Sequence, residues 1–307
     1  MSLLVVGTLG LDFIETPGGQ RDQVLGGSAA FLATAAAFFV PVSMTAVVGD
    51  DFPAEHLAFF AERQIDTQGV EQLPGRTFRW HGRYGQDLNV AQTVETQLNV
   101  LENYHPELLP AVREASYVVL GNISPALQEK VLDQLRAPAL VACDTMNYWI
   151  SGHNAVLRRI LPRIDLLCIN EAEARQLSGE HNLLRAVTKI RAMGPRFVVV
   201  KRGEYGVLMV DDGGTFALPA FPLDQICDPT GAGDSFAGGM MGFIAAQRRC
   251  DGDTLRQAVA VGSVVASYVV QDFSLDALRH LQPASLLARL QQFAHLSRFT
   301  AEGIHVS

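Results

Sequence analysis

The densest chemistry in this 307-residue chain lies in Asp228-Pro229-Thr230-Gly231-Ala232-Gly233-Asp234-Ser235-Phe236-Ala237-Gly238-Gly239. Gly231-Ala232-Gly233 reads as a small-residue turn, with a helix beginning at Asp234. Such a turn exposes consecutive backbone N–H groups with no side chains over them. A helix start adds a partial positive charge and further free N–H groups. Together they make an anion hole, which phosphoryl transfer needs because charge builds on the transferring group. Asp234, at the rim of that hole, could take the proton of an attacking hydroxyl. By spacing alone the same residues also read as an N-cap Asp after a glycine turn.

The block closely resembles the C-terminal signature of the ribokinase-like family, the PfkB carbohydrate kinases, completely over Asp228 to Asp234. Other segments agree in the family's order over nearly the whole chain. The resemblance implies ATP-dependent phosphorylation of a hydroxymethyl group, with Asp234 as base and Gly231, Ala232 and Gly233 as the anion hole. Gly7 to Asp12 looks like the family's first strand and turn, which gives Asp12 the role of binding sugar hydroxyls. Gly26-Gly27 resembles the substrate-side glycine pair. The sequence then departs from the pattern: Phe31 stands where many members carry a substrate-binding Asn. Asn170-Glu171-Ala172-Glu173 resembles the Asn-x-x-Glu motif that helps order Mg²⁺ through water. Asn170 and Glu173 are oxygen donors suited to a hard cation, and read equally as an ordinary helix N-terminus. Lys201-Arg202-Gly203-Glu204-Tyr205-Gly206 resembles the nucleotide-side hairpin. Gly203 and Gly206 would lie against ATP and Lys201 would reach its phosphates, although members often carry Thr at that place. Asp228 is implied as a monovalent-cation ligand, K⁺, in part of the family. The adenine is placed near the helix at 254–270, whose small residues also suit close packing.

These residues need a scaffold, and the apolar pattern supplies one. Short apolar runs at 3–6, 42–48, 117–120, 139–143, 166–169 and 197–201 read as buried strands. A further strand at 207–210 pairs as a hairpin through Glu204-Tyr205-Gly206. Helices are expected at 29–39, 53–64, 126–135, 171–177, 183–193, 235–247 and 254–270. Strands alternating with helices predict a three-layer α/β/α domain with a mostly parallel sheet. Residues 13–25 and 76–97 break that rhythm with β-rich sequence and turn glycines. They predict a small β lid on one kinase domain spanning 1–307. Arg79 and His81 should share a lid face, with Trp80 on the other. Arg79, Trp80, His81 and Arg83 are candidate substrate contacts.

The composition is 48% hydrophobic and 18% charged, with a formal net charge of -8, which predicts a folded chain. Without a dense Lys/Arg run, nucleic-acid binding is not expected. The four cysteines have no metal-type spacing and read as reduced thiols of a cytoplasmic protein. The uncharged stretch from Ser28 to Gly49 imitates a membrane span, but Pro41 divides it into two pieces too short to cross. No basic region precedes the first apolar run, so no signal peptide is expected. The acceptor is read as a small sugar. The rival acceptor is a nucleoside, whose base Phe31 and Trp80 could pack against. A rival of another class is a catalytically silent sugar or nucleotide sensor, against which the intact Gly231–Asp234 block argues. A dinucleotide oxidoreductase would need Gly-x-Gly-x-x-Gly after the first strand, where Gly7-Thr8-Leu9-Gly10 stands instead. An exposed lid edge could pair with a second chain as a homodimer.

Overall fold

Alternate residues of the first strand, β1 (Leu3–Val6), enter two different cores. Leu3 and Val5 face one side, Leu4 and Val6 the other, as the period of a strand dictates. Only a sheet covered on both faces buries such a run completely. The computed structural model, which describes residues 3–298, has a sheet of that kind.

The other strands of this sheet are β4 (Val42–Val48), β5 (Ile65–Gln72), β8 (Tyr117–Leu120), β9 (Leu140–Asp144), β10 (Leu166–Asn170), β11 (Phe197–Lys201), β12 (Val207–Asp211) and β13 (Gly214–Leu218). Their spatial order is β13-β12-β11-β10-β9-β8-β1-β4-β5. All neighbours from β5 to β11 pair in parallel, and β12 and β13 close one edge antiparallel. One face is covered by α1 (Ser28–Ala36), α2 (Ala54–Glu62), α8 (Ala232–Gln247), α9 (Gly252–Val269), α10 (Asp276–His280) and α11 (Pro283–Leu296). The other carries α3 (Pro125–Leu132), α4 (Asn147–Gly152), α5 (Asn154–Ile160), α6 (Glu171–Ser178) and α7 (Leu183–Arg191). This is the expected three-layer fold.

A second sheet has the order β3-β2-β6-β7, built from β2 (Gly10–Thr16), β3 (Gly19–Gly26), β6 (Arg79–Tyr84) and β7 (Ala91–Gln97). The pairs β2–β3 and β6–β7 are antiparallel hairpins, and β2 joins β6 in parallel.

Two helix starts differ from expectation by two residues or more. The helix at α8 begins at Ala232 and not at Asp234, because Gly231 takes the left-handed conformation (φ 73°) and already turns the chain into the helix. The helix at α9 begins at Gly252, two residues early, because the Asp251 side chain caps it by accepting from the Thr254 amide at 2.8 Å. Strands β5 and β13 and helices α4, α5, α10 and α11 carried no recognised signal. The strand β5 lies at the edge of the sheet and is only part-buried, so its sequence Ile-Asp-Thr-Gln-Gly-Val-Glu-Gln lacks a continuous apolar run. Among the described residues no helix is long and apolar enough to cross a membrane.

Candidate active site

In open parallel sheets, ligands collect beyond the carboxyl ends of the strands. Five neighbouring strands here, β1, β8, β9, β10 and β11, end near Thr8, Asn122, Asp144, Asn170 and Lys201. The N-terminus of α8 stands at that edge, since a Cβ on Gly233 would lie 3.0 Å from Lys201 Nζ.

Asp234 is the third residue of α8, in its first turn. The first-turn amides of Gly233 and Asp234 have no intrahelical acceptor and are free for an anion. The Ala232 amide instead donates to the Pro229 carbonyl at 3.2 Å, closing the turn that was expected to present it. Gly231 to Asp234 are all half-buried, so a ligand can still reach them. Burial pushes the Asp234 carboxyl above the usual carboxylate range; Asp144 adds to the rise and Lys201 opposes it. A carboxyl held high in this way is a better proton acceptor.

Asp228 does not face outward. It is wholly buried, and its oxygens accept from the Thr230 amide (2.8 Å) and the Ser274 amide (3.1 Å). In this structure its carboxylate ties the loop before α8 to the segment after α9.

Asp12, on β2, is 3% exposed, and its Oδ1 has no hydrogen-bond partner. Burial raises its pKa to about 7; the backbone amides of Trp80 and Gly27 oppose this, and Asp228 and Asp234 add to it. Gly26 makes room for Asp12: a Cβ there would come 1.9 Å from its Oδ2. Gly27 presses against the Thr8 carbonyl, which a Cβ would approach to 2.4 Å. It precedes Ser28, whose amide donates to Thr8 Oγ1 (2.9 Å).

The inward face of β6 is also settled. Tyr84 Oη accepts from Thr230 Oγ1 at 3.2 Å, so the face carrying Trp80, Gly82 and Tyr84 looks toward α8. The Trp80 indole lies across Gly82 and donates to Thr93 Oγ1 at 3.1 Å. On the opposite face Arg79 pairs with Asp51 (2.9 Å), while His81 (2.6 Å) and Arg83 (2.9 Å) both meet Glu15. Three of the four candidate contacts on this strand therefore point away from the site. Phe31 does not offer its ring to a ligand either. It is 1% exposed and lies directly beneath Gly231.

Asn170 and Glu173 form a reciprocal capping box on α6. Asn170 Oδ1 accepts from the Glu173 amide (2.8 Å), and Glu173 Oε2 from the Asn170 amide (2.8 Å). Burial, with Asp144 next, raises the Glu173 carboxyl above its ordinary range, while Lys201 opposes the rise. The structural and metal-side readings of this pair are compatible, because the cap leaves Glu173 Oε1 uncommitted. Among the described residues no group of three or more His, Cys, Asp or Glu could hold a metal ion. A hard cation bound here would take most of its oxygens from water and phosphate.

Gly203 and Gly206 both have positive φ (54° and 85°), and protein atoms press on each. A Cβ on Gly203 would come 1.9 Å from Asn89 Oδ1, in the β6–β7 loop, and one on Gly206 would come 2.1 Å from the Leu218 carbonyl. The β6–β7 loop thus reaches across to the turn between β11 and β12. Lys201 does not project freely: its Nζ is 2.6 Å from Asp144 Oδ2. Asp144 went unnoticed in the sequence. The available signal was an acidic residue closing a buried parallel strand, where a charge needs a reason to be.

The three-layer domain carries a half-buried carboxylate in the first turn of a helix at the carboxyl edge of its strands, an arrangement chemically suited to phosphoryl transfer. The model of the pfkB family carbohydrate kinases matches residues 2–279, and the chain belongs to that family of ATP-dependent phosphotransferases. It is 33% identical over 269 residues to a cytidine kinase of Thermococcus kodakarensis, covering 85% of this chain and 93% of that one. A ribokinase II structure from E. coli, in complex with ATP and Mg²⁺, superposes with a TM-score of 0.78 at 17% identity, covering 95% and 99% of the two chains. A Vibrio cholerae fructokinase bound to fructose, ADP and potassium also reaches a TM-score of 0.78, at 20% identity over 94% and 98%.

Proposed function

We propose that this kinase transfers the γ-phosphoryl group of ATP to a hydroxymethyl group of a ribose-bearing nucleoside or a small sugar. The observation that carries the reading is the pairing of a raised, half-buried Asp234 in the first turn of α8 with a buried Asp12 whose Oδ1 lacks a partner. An unpartnered carboxylate oxygen costs free energy unless a ligand satisfies it. Asp12 would accept hydrogen bonds from the acceptor's hydroxyls, with Gly26 and Gly27 letting it approach the backbone. Asp234 would take the proton of the attacking hydroxyl. The amides of Gly233 and Asp234, with Gly231 shaping the turn, would hold the transferring phosphoryl.

The oxygen donors and the free amides fit a nucleotide with its metal. Asn170 and Glu173 would hold Mg²⁺ through water, and the ion, when bound, supplies neutralisation of phosphate charge. Lys201 would lie at the phosphates, and Gly203 and Gly206 would shape the turn beside the nucleotide. The second sheet would act as a lid, with the Tyr84–Thr230 bond holding it over the site and water kept from the phosphoryl group. Asp228 has both oxygens engaged, so K⁺ would have to share them with two amides. A homodimer through the lid edge and a cytoplasmic location remain part of the proposal.

We rank pyrimidine nucleosides first among acceptors, a reading supported by the 33% identity to a cytidine kinase over 93% of its length. Free sugars, favoured by the signature alone, come second. The test is ATP-to-ADP conversion with Mg²⁺ against cytidine, adenosine, ribose and fructose, with Asp234→Asn as control. Turnover with one acceptor, reduced about a hundredfold or more in the variant, is expected. Retention of most activity by Asp234→Asn would remove it as the base.

A further inference from the structure

Lys201 and Asp144 form the most buried ion pair of the described residues near the site, with side chains 17% and 6% exposed. The lysine is long and flexible; the aspartate is not. Asp144 Oδ1 accepts from the Thr145 amide at 2.7 Å. Its carbonyl receives Gln128 Nε2 at 3.0 Å, and the same nitrogen reaches the Gly121 carbonyl at 2.9 Å. Buried Gln128 therefore ties the ends of β8 and β9 together and pins Asp144 in place.

The ammonium it holds sits against Gly233, one residue from Asp234. Asp234 feels both partners, the repulsion of Asp144 and the attraction of Lys201. Other charged groups around it are Asp12 and Glu173, each of which registers Asp234 in turn, with Asp228 near Asp12. A buried ammonium without its own carboxylate would seek another one. Glu173 and Asp234, the latter next to Gly233 in the first turn of α8, are the other carboxyls that act on Lys201, and an ion pair with Asp234 would make it a poor proton acceptor.

We propose that Asp144 is a positioning residue of the phosphoryl-transfer site, which holds the Lys201 ammonium beside the first turn of α8 and away from Asp234. The lysine then remains available to an incoming phosphate, and Asp234 stays unpaired. Only the catalytic consequence rests on the kinase reading; the holding of Lys201 does not.

A double-mutant cycle on melting temperature tests the holding directly. In the wild-type background, Asp234→Asn should raise Tm, because it removes a buried carboxylate that Asp144 repels. In the Asp144→Asn background Lys201 turns to Asp234, and Asp234→Asn should lower Tm by roughly 2 °C or more. The same shift in both backgrounds would overturn the proposal. Should Asp144→Asn fail to fold, Lys201→Met serves as the second background. There, Asp234→Asn should raise Tm more than in the wild type, and an unchanged increment would again overturn it. Kinetically, Asp144→Asn should lose about tenfold or more in kcat with the acceptor KM within about twofold, while Asp144→Glu keeps most activity. Wild-type kcat in Asp144→Asn would sink the positioning role. An inactive wild-type protein would instead count against the kinase reading, and the melting cycle would still decide where Asp144 holds Lys201.

Discussion

Gly231 lies flat on the ring of Phe31: a Cβ at this glycine would come 2.4 Å from three atoms of the ring. The two residues are two hundred positions apart, on the loop before α8 and in the middle of α1. Together they set the angle at which α8 begins. Gly231→Ala would meet both the clash and a left-handed φ of 73°. The expected result is a loss of turnover of about a hundredfold or more, with Tm lowered by several degrees. Near-normal kcat in this variant would show that the turn tolerates displacement.

The two Asp12 oxygens make a prediction about the acceptor. Gly26→Ala would drive a methyl group into Oδ2 of Asp12, 1.9 Å away. Asp12 can yield only by swinging from its buried position. The acceptor KM should therefore rise by about tenfold or more while the KM for ATP changes little. Equal increases in both constants would point to general damage.

Asp12 also links stability to pH. Its pKa is raised from the ordinary 3.8 to about 7, so the folded state binds the proton more tightly than the unfolded chain. The stability from this group is full below pH 4 and is lost as pH rises toward and past 7. Asp12→Asn removes the cost of the buried charge, which is at most roughly 4 kcal/mol. Thermal melts should show the variant gaining on the wild type between pH 4 and pH 8, with no gain at pH 4. A gain independent of pH would mean that ionisation of Asp12 is not involved.

The pH dependence of turnover follows from Asp234 by the opposite logic. The base must be ionised, and burial holds its carboxyl above the ordinary range. The plot of kcat/KM against pH should therefore fall on the acid side at a pH well above 4, with a slope of about one. A limb at or below pH 4 would indicate an unperturbed carboxylate. Mg²⁺ and nucleotide would be kept saturating so that the limb reports the protein.

Among the described residues, the Tyr84–Thr230 bond is the one side-chain hydrogen bond between β6 and the loop before α8. Tyr84→Phe should leave the fold intact at a cost of about 1 kcal/mol. If the second sheet is a lid, the variant should hydrolyse ATP without acceptor a few times faster than the wild type. Unchanged hydrolysis would detach this bond from closure.

By itself the sequence determined the layers and the turn on which the proposed site is centred. Runs such as Leu3–Val6 and Phe197–Val200 are apolar on every residue, and only a sheet covered on both sides can bury them. The Gly-Ala-Gly-Asp turn is local, so its geometry follows from adjacent residues: glycine for the positive φ, a helix start for the free amides. Tertiary structure decided whatever depends on distant partners. The edge strand β5 is half polar, and it becomes a strand only because β4 offers hydrogen bonds. No pattern within Thr77–Thr96 says which face of β6 turns inward; the Tyr84 contact with Thr230, 146 residues away, does. Phe31 looked available to a ligand until α8 was packed over it. Asp144 and Lys201 are 57 residues apart, and their pairing exists because β9 and β11 flank β10 and end at the same edge. Chain order cannot express such a relationship, because a buried charge answers to its neighbours in space.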